Sequence, residues 1–166
     1  MKTQNPINRF YQEHEQVLEQ IQELEHCVDD LRRKGYSKRR ASQFARALKA
    51  VDYGVRIHNA AEEKALLEML DQTLPTYGPT FIMRQEYREL RRAARRLQTA
   101  FQGWQRDAKN RQKLAHLGLT TEWLIKLLQE HIDKGNDVLF PLAQSVLTQQ
   151  QMDQVVQRLD QFMAAS

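Results

Sequence analysis

Four stretches of this chain carry an apolar stripe at steps of three and four residues, and each stripe is interrupted by a side chain that can ionise. The first reads Phe10, His14, Val17, Ile21, Leu24, Val28, Leu31. The second reads Phe44, Leu48, Val51, Val55, His58, Glu62, Ala65, Met69. The third reads Met83, Tyr87, Leu90, Ala94, Leu97, Phe101, Trp104, and the fourth Leu114, Leu117, Thr121, Leu124, Leu128, His131, Gly135, Val138, Leu142. Such spacing keeps each set on one face of an α-helix, the face that packs on a core. An ionisable group there loses its water and needs a partner. Histidines and a carboxylate converging from facing helices satisfy one another by sharing a metal ion.

Nothing competes with the helical reading. The 166 residues suit one domain, 1–166, and include only 6 Gly and 4 Pro among runs rich in Glu, Gln, Leu, Arg and Ala. Breaks at Gly35-Tyr36-Ser37, at Leu74 to Pro79, near Gln102-Gly103 and after Phe140-Pro141 leave helices at roughly 7–33, 38–71, 80–104 and 107–144. Gly118, followed by Thr120-Thr121, is a point where the fourth helix breaks or kinks. Thr148 and Gln151 have capping-box spacing ahead of a short fifth helix whose apolar face is Met152, Val155, Val156, Leu159 and Phe162. Short connections predict an all-α, up-down-up-down four-helix bundle with this extra C-terminal helix.

The single cysteine, Cys27, excludes an internal disulfide and fits a reducing compartment. No membrane-length apolar run and no N-terminal apolar segment are present, so the expectation is a soluble, cytoplasmic protein. The net charge of +4 is uneven, with Arg84, Arg88, Arg91, Arg92, Arg95 and Arg96 loading the third helix. Without interleaved aromatic residues or a nucleic-acid fold signature, these arginines read as a solvated face paired with Glu86 and Glu89, or as a surface for an acidic protein partner. No nucleic-acid or membrane partner is expected.

His58 and Glu62, four apart, project to one face of one helix. They read as two metal ligands, or as a buried His–Glu hydrogen bond with no metal. His14 and His131 gain weight as ligands from standing on facing seams. His26 and His116 lie off the seams with no converging partner and read as surface residues.

At this point the chain resembles the hemerythrin-like, or HHE cation-binding, family. Glu13-His14, the His58–Glu63 segment (similar to HHxKEE) and the Glu130–Pro141 segment (similar to HIDKENxxLFP) carry the resemblance, with Tyr77-Gly78-Pro79 and Met83–Tyr87 similar to the family's GP…MxxEH. It spans the bundle from His14 to about Phe162. It implies non-haem iron held by histidines from all four helices and two bridging carboxylates, with His14, His58, Glu62 and His131 at ligand positions.

Two positions depart from the pattern. Tyr87 stands where the third-helix histidine is expected, and Gly135 where the second bridging carboxylate is expected. His14, His58 and Glu62 keep a 2-His-1-carboxylate set for one iron. His131, a share of Glu62 and the Tyr87 phenol would serve the other, tyrosinate being a competent ferric ligand held back by its high ordinary pKa. Gly135 costs about 0.8–1 kcal/mol against alanine in a helix interior, so it either makes room for the Tyr87 ring, a bound small molecule or a water, or is drift tolerated at a site no longer used; Asn136 offers an amide oxygen. The metal-site residues expected are therefore His14, His58, Glu62, Tyr87 and His131, holding one or two irons. Three functions stay open: binding or sensing O2, NO or peroxide or handling iron; enzymatic turnover of peroxide or NO; and a metal-free regulatory bundle.

Overall fold

The computed structural model describes residues 5–165, and among them it is all-helical, without strands. Helix α1 is Pro6–Lys34. Asn5 caps it, its Oδ1 accepting from Ile7 N–H at 3.0 Å, and Gly35 ends it at φ +71°, a backbone conformation glycine adopts without penalty. Helix α2 is Lys38–Ala61, capped by Ser37, and continues through a π-helical turn, Glu62–Leu67, into a last α turn, Glu68–Leu70. Helix α3 is Pro79–Gln105. Helix α4 is Arg111–Lys134 and likewise passes through a π-helical turn, Gly135–Leu139, into Phe140–Val146. Helix α5 is Gln149–Ala165, and the expected capping box precedes it: Thr148 N–H donates to Gln151 Oε1 and Gln151 N–H donates to Thr148 Oγ1.

Helix α1 packs against α2 and α4, α3 packs against α4, and α5 closes over the π turn of α2. Two expectations about helix ends are corrected. Helix α4 starts at Arg111 rather than 107, because the Asn110 side chain accepts from Lys113 N–H at 3.1 Å and sets the cap there. Gly118 neither breaks nor kinks α4. A Cβ at that position would collide with the Arg32 guanidinium, which lies across the glycine and pairs with Glu122. The glycine accommodates a neighbour, not a bend.

The interior holds two apolar cores. The larger takes Val17 to Leu31 of α1, Phe44 to Val51 of α2, Leu90 to Trp104 of α3 and Leu117 to Ile132 of α4. The smaller takes Ile7, Phe10, Ala61 to Leu70, Met83, Tyr87, Leu139, Phe140 and the inner face of α5. Each of the four long helices passes from one core to the other at its ionisable seam residue. The polar groups therefore form a layer between two hydrophobic masses.

The π turns move the seams. One extra residue in a helical turn rotates everything downstream by about 100°. Val138 and Leu142, expected on the core face, are therefore exposed and half-buried, while Leu139 and Ala143 are buried in their place. In α2 the same shift adds Leu66 and Leu70 to the expected Ala65 and Met69.

Candidate metal centre

The polar layer takes one side chain each from α1, α3 and α4 and two from α2, all withdrawn from solvent. His14, His58, Glu62, Tyr87 and His131 are buried, Glu62 completely so. Ligand-type atoms of His14, His58, Glu62 and His131 all lie within 4.8 Å of one another. His14 Nε2 is 2.9 Å from His58 Nε2. Glu62 Oε2 lies 3.4 Å from His58 Nε2 and 4.0 Å from His131 Nε2. The Tyr87 hydroxyl donates to Glu62 Oε2 at 2.6 Å. The four expected ligands other than Tyr87 thus converge directly, and Tyr87 joins them through Glu62.

A second ring of groups turns the imidazoles inward. His58 Nδ1 meets Glu13 Oε2 at 2.9 Å and His131 Nδ1 meets Glu86 Oε2 at 3.0 Å. An ionised carboxylate only accepts, so both Nδ1 atoms carry the proton. His14 Nδ1 donates to Asn136 Oδ1 at 2.7 Å in the same way. All three Nε2 atoms then face the centre. Surface cations hold the carboxylates: Arg9 donates to Glu13 at 3.1 Å, and Lys134 donates to Glu86. Two chains of cation, carboxylate and imidazole run from the surface to the layer.

Charge inside the layer is balanced by one proton. Burial disfavours the His58 imidazolium, but the Glu13 and Glu62 carboxylates outweigh it and raise His58 to about 9. Burial and the adjacent His58 charge push His14 down to about 4. Glu62 would rise on burial, yet its bond to His58 and the nearby imidazoles bring it to about 2. Burial and the charge of Glu62 hold the Tyr87 phenol well above its ordinary value, so the phenol stays protonated and donates. The His58 proton lies between His14 Nε2 and Glu62, and two atoms are left over. Glu62 Oε1 and His131 Nε2 are buried with no hydrogen-bond partner among the described residues, an arrangement that costs about 1–3 kcal/mol per group.

Three sequence expectations are corrected here. The space at Gly135 is taken by the His14 imidazole: a Cβ at 135 would stand 2.6 Å from His14 Cε1. The backbone there is ordinary helix, φ −59° and ψ −53°, so only this close approach calls for glycine. Asn136 engages the outer nitrogen of His14 instead of offering an oxygen to the centre. Glu86, expected to pair with arginines of its own helix, is bound to His131 and Lys134. His26 and His116 are exposed, as expected.

A family model for the hemerythrin HHE cation binding domain matches residues 5–143. The chain belongs to that family. The matched span takes in all four long helices and ends inside Phe140–Val146, so α5 of this hemerythrin domain lies beyond it, short of the Phe162 limit expected from the sequence. No curated protein matches the chain.

The donor set fits a cation. Bonds of about 2.0–2.1 Å from imidazole to a metal place neighbouring donors about 3 Å apart and opposed donors about 4.2 Å apart, close to the 2.9–4.8 Å found in this hemerythrin domain. A cation would also meet the two orphaned atoms, Glu62 Oε1 and His131 Nε2. The Nδ1 acceptors are the outer partners that metal-bound histidines normally have. Within the described residues of the hemerythrin domain, His14, His58, Glu62 and His131 form a cluster able to hold a metal ion.

What sequence reasoning missed was the outer ring. Glu13 and Glu86 each directly precede a seam residue, which on a helix puts them about 100° round, at the edge facing the next helix. That adjacency was the available signal. The π turns had none, since a regular 3.6-residue period cannot register an added residue.

Proposed function

We infer that His14, His58, Glu62 and His131 bind a single non-haem iron ion, and that the protein binds or senses a small molecule such as O2, NO or peroxide there. The observation carrying this reading is the convergence of three outward-tethered imidazoles and one fully buried carboxylate within 4.8 Å. That span supports one ion rather than two, because paired catalytic metals stand about 3.5–4 Å apart and their outer ligands lie farther apart still. Family membership and a nitrogen-rich donor set with one carboxylate support iron. Bound iron would supply a Lewis-acidic, redox-active centre whose four protein donors leave positions open for a small ligand.

The chain's own groups then have distinct tasks. Glu13, Glu86 and Asn136 hold Nδ1 protons and fix the imidazole planes. Tyr87 donates to Glu62 and keeps its carboxylate oriented, which makes it a positioning residue for a ligand. Phe10 and Phe140 pack against His58 and His14 and keep bulk water out. The same reading takes residues 1–166 as one domain, an up-down-up-down four-helix bundle with a fifth helix, working in the cytoplasm. Its support for the compartment is the one cysteine, Cys27, which is buried and unpaired. Among the described residues no helix is long and apolar enough to cross a membrane.

The test is metal content per chain after anaerobic loading with Fe(II), with the visible spectrum recorded after air is admitted. One iron per chain, lost in His58→Ala and Glu62→Ala and kept in His26→Ala and His116→Ala, is the expected result. Two irons would overturn the single-ion reading. No retained iron with the helices intact would turn the function toward a metal-free regulatory bundle and its arginine-rich α3.

A further inference from the structure

Helices α2 and α3 leave a cleft of about 380 Å³ between them, floored by α4. The volume lies in the range of small-molecule sites, about 300–1,000 Å³. Leu48, Val51 and Val55 line one wall, Leu90 the other, and Leu124 and Leu128 the floor. Val55 and Ala94, expected as core residues from their seams, are only half-buried because they face this space.

Charge at the cleft is unbalanced. Arg56, Arg91 and Arg95 line it, and none makes an ion pair among the described residues; Arg56 lies over the Tyr53 ring, and Arg95 Nε–H donates to the Arg91 carbonyl. Two carboxylates share the lining. Glu63 is already engaged by Arg84 at 3.2 Å, which leaves Asp52 alone against three guanidinium groups. Arg91 and Arg95 stand one helical turn apart, the spacing at which two guanidinium groups meet one anion. A third feature is set into the wall. Asn59 lines the cleft and is 5% exposed, and its Oδ1 is buried with no hydrogen-bond partner among the described residues. A buried amide is normally bonded, so this one lacks a group the protein does not provide.

We propose that this cleft is a binding site for a hydroxylated apolar carboxylic acid, with its carboxylate on Arg91 and Arg95, its hydrocarbon body on the leucine and valine walls, and its hydroxyl on the Asn59 amide. The three features ask for three different parts of one molecule. An anion without an apolar body leaves the walls wet. A neutral hydrocarbon leaves the arginines unmatched. A hydroxyl both donates and accepts, so it meets the Asn59 amide in either orientation. The site is separate from the metal centre, although Asn59 directly follows His58 in α2.

The probe is omega-hydroxydecanoate, titrated into the full chain by calorimetry with and without bound metal, beside decanoate, decanol and decylamine. Expected affinities fall in the order omega-hydroxydecanoate, decanoate, decanol, with decylamine not bound. The double variant Arg91→Glu/Arg95→Glu, both on the exposed face of α3, should weaken the carboxylates by about tenfold or more and leave decanol unchanged. Asn59→Leu should remove the preference for the hydroxylated acid. Val55→Trp, which fills the cleft, should abolish binding of all three, with circular dichroism confirming the fold in each variant. Equal binding of decanoate and decylamine, or charge reversal without effect, would overturn the proposal. So would binding seen only with metal present, which would locate the carboxylate on the ion.

Discussion

Replacing Gly135 by alanine separates the two things this residue does. Alanine in a helix interior ordinarily stabilises by about 1 kcal/mol over glycine, and the backbone at 135 is regular helix, so that gain is available. Against it stands the His14 ring. The new methyl would begin 2.6 Å from His14 Cε1, and ordinary contact starts near 3.4 Å, so the ring must withdraw by about 0.8 Å. It is not free to do so cheaply. Nδ1 is bonded to Asn136 at 2.7 Å, Nε2 faces His58 at 2.9 Å, and the ring stacks on Phe140 with centroids 5.0 Å apart. Overpacking of this kind costs about 1–3 kcal/mol, so the metal-free variant should range from unchanged to about 2 kcal/mol less stable. Metal affinity should respond more sharply, because a displaced ligand and its disturbed outer bond together weaken binding by about 10–100-fold. The assay is a chelator competition with Fe(II) under anaerobic conditions, paired with thermal melts of the metal-free chain. A Gly135→Ala protein that melts about 2–4 °C higher and binds iron as tightly as the parent would refute the close-approach account. By the same geometry, Gly135→Glu should not create a second iron site, since its side chain has to enter space His14 already fills.

The remaining predictions concern the ring around the donors and its protons. Glu13→Gln and Glu86→Gln should each lower iron affinity by about 10–100-fold while far-ultraviolet circular dichroism stays unchanged; parent-like affinity in both would show that the imidazoles need no outer acceptor. Tyr87→Phe should retain iron and destabilise the metal-free protein by about 1–3 kcal/mol, since Glu62 Oε2 loses its 2.6 Å donor. A broad visible band in the ferric parent that vanishes in Tyr87→Phe would instead make the phenolate a ligand. In the metal-free chain His58 is raised from its ordinary 6.5 to about 9, so its contribution is whole below pH 6.5 and is lost as pH climbs through 9. Glu62, lowered from 4.5 to about 2, contributes above pH 4.5 and loses that contribution as pH falls toward 2. Melting temperature should therefore drop between pH 7 and 10, and a His58→Asn chain showing the same drop would assign it elsewhere.

The helices and the four converging ligands were legible because both follow from periodicity. Phe10, Val17 and Ile21 fix which face of α1 is inward, and His14 falls on that face whatever its chemistry. Thr148 and Gln151 announced the start of α5 through backbone bonds that depend only on local spacing. Periodicity failed where a neighbour decided the outcome. Gly118 read as a break because nothing local reveals that Arg32 lies across it. Val138 read as core because a regular 3.6-residue period cannot register the added residue at Gly135–Leu139. Tyr87 was legible as a departure from the family pattern, but its hydroxyl's commitment to Glu62 depends on how α2 and α3 meet.

The polar layer also bears on how the molecule comes apart. Two cores that meet at that layer, strung along the same four helices, are two candidate units of local unfolding, since opening one leaves the other's apolar contacts intact. Without a cation, the side-chain links across the layer are a few hydrogen bonds and one proton. With a cation held by α1, α2 and α4 at once, neither unit opens without releasing a ligand. Hydrogen exchange should then report two protection levels in the metal-free chain, with the core beside α5 exchanging on its own, and a single level once the ion is bound. Metal would act less as a local brace than as the element that makes unfolding one event.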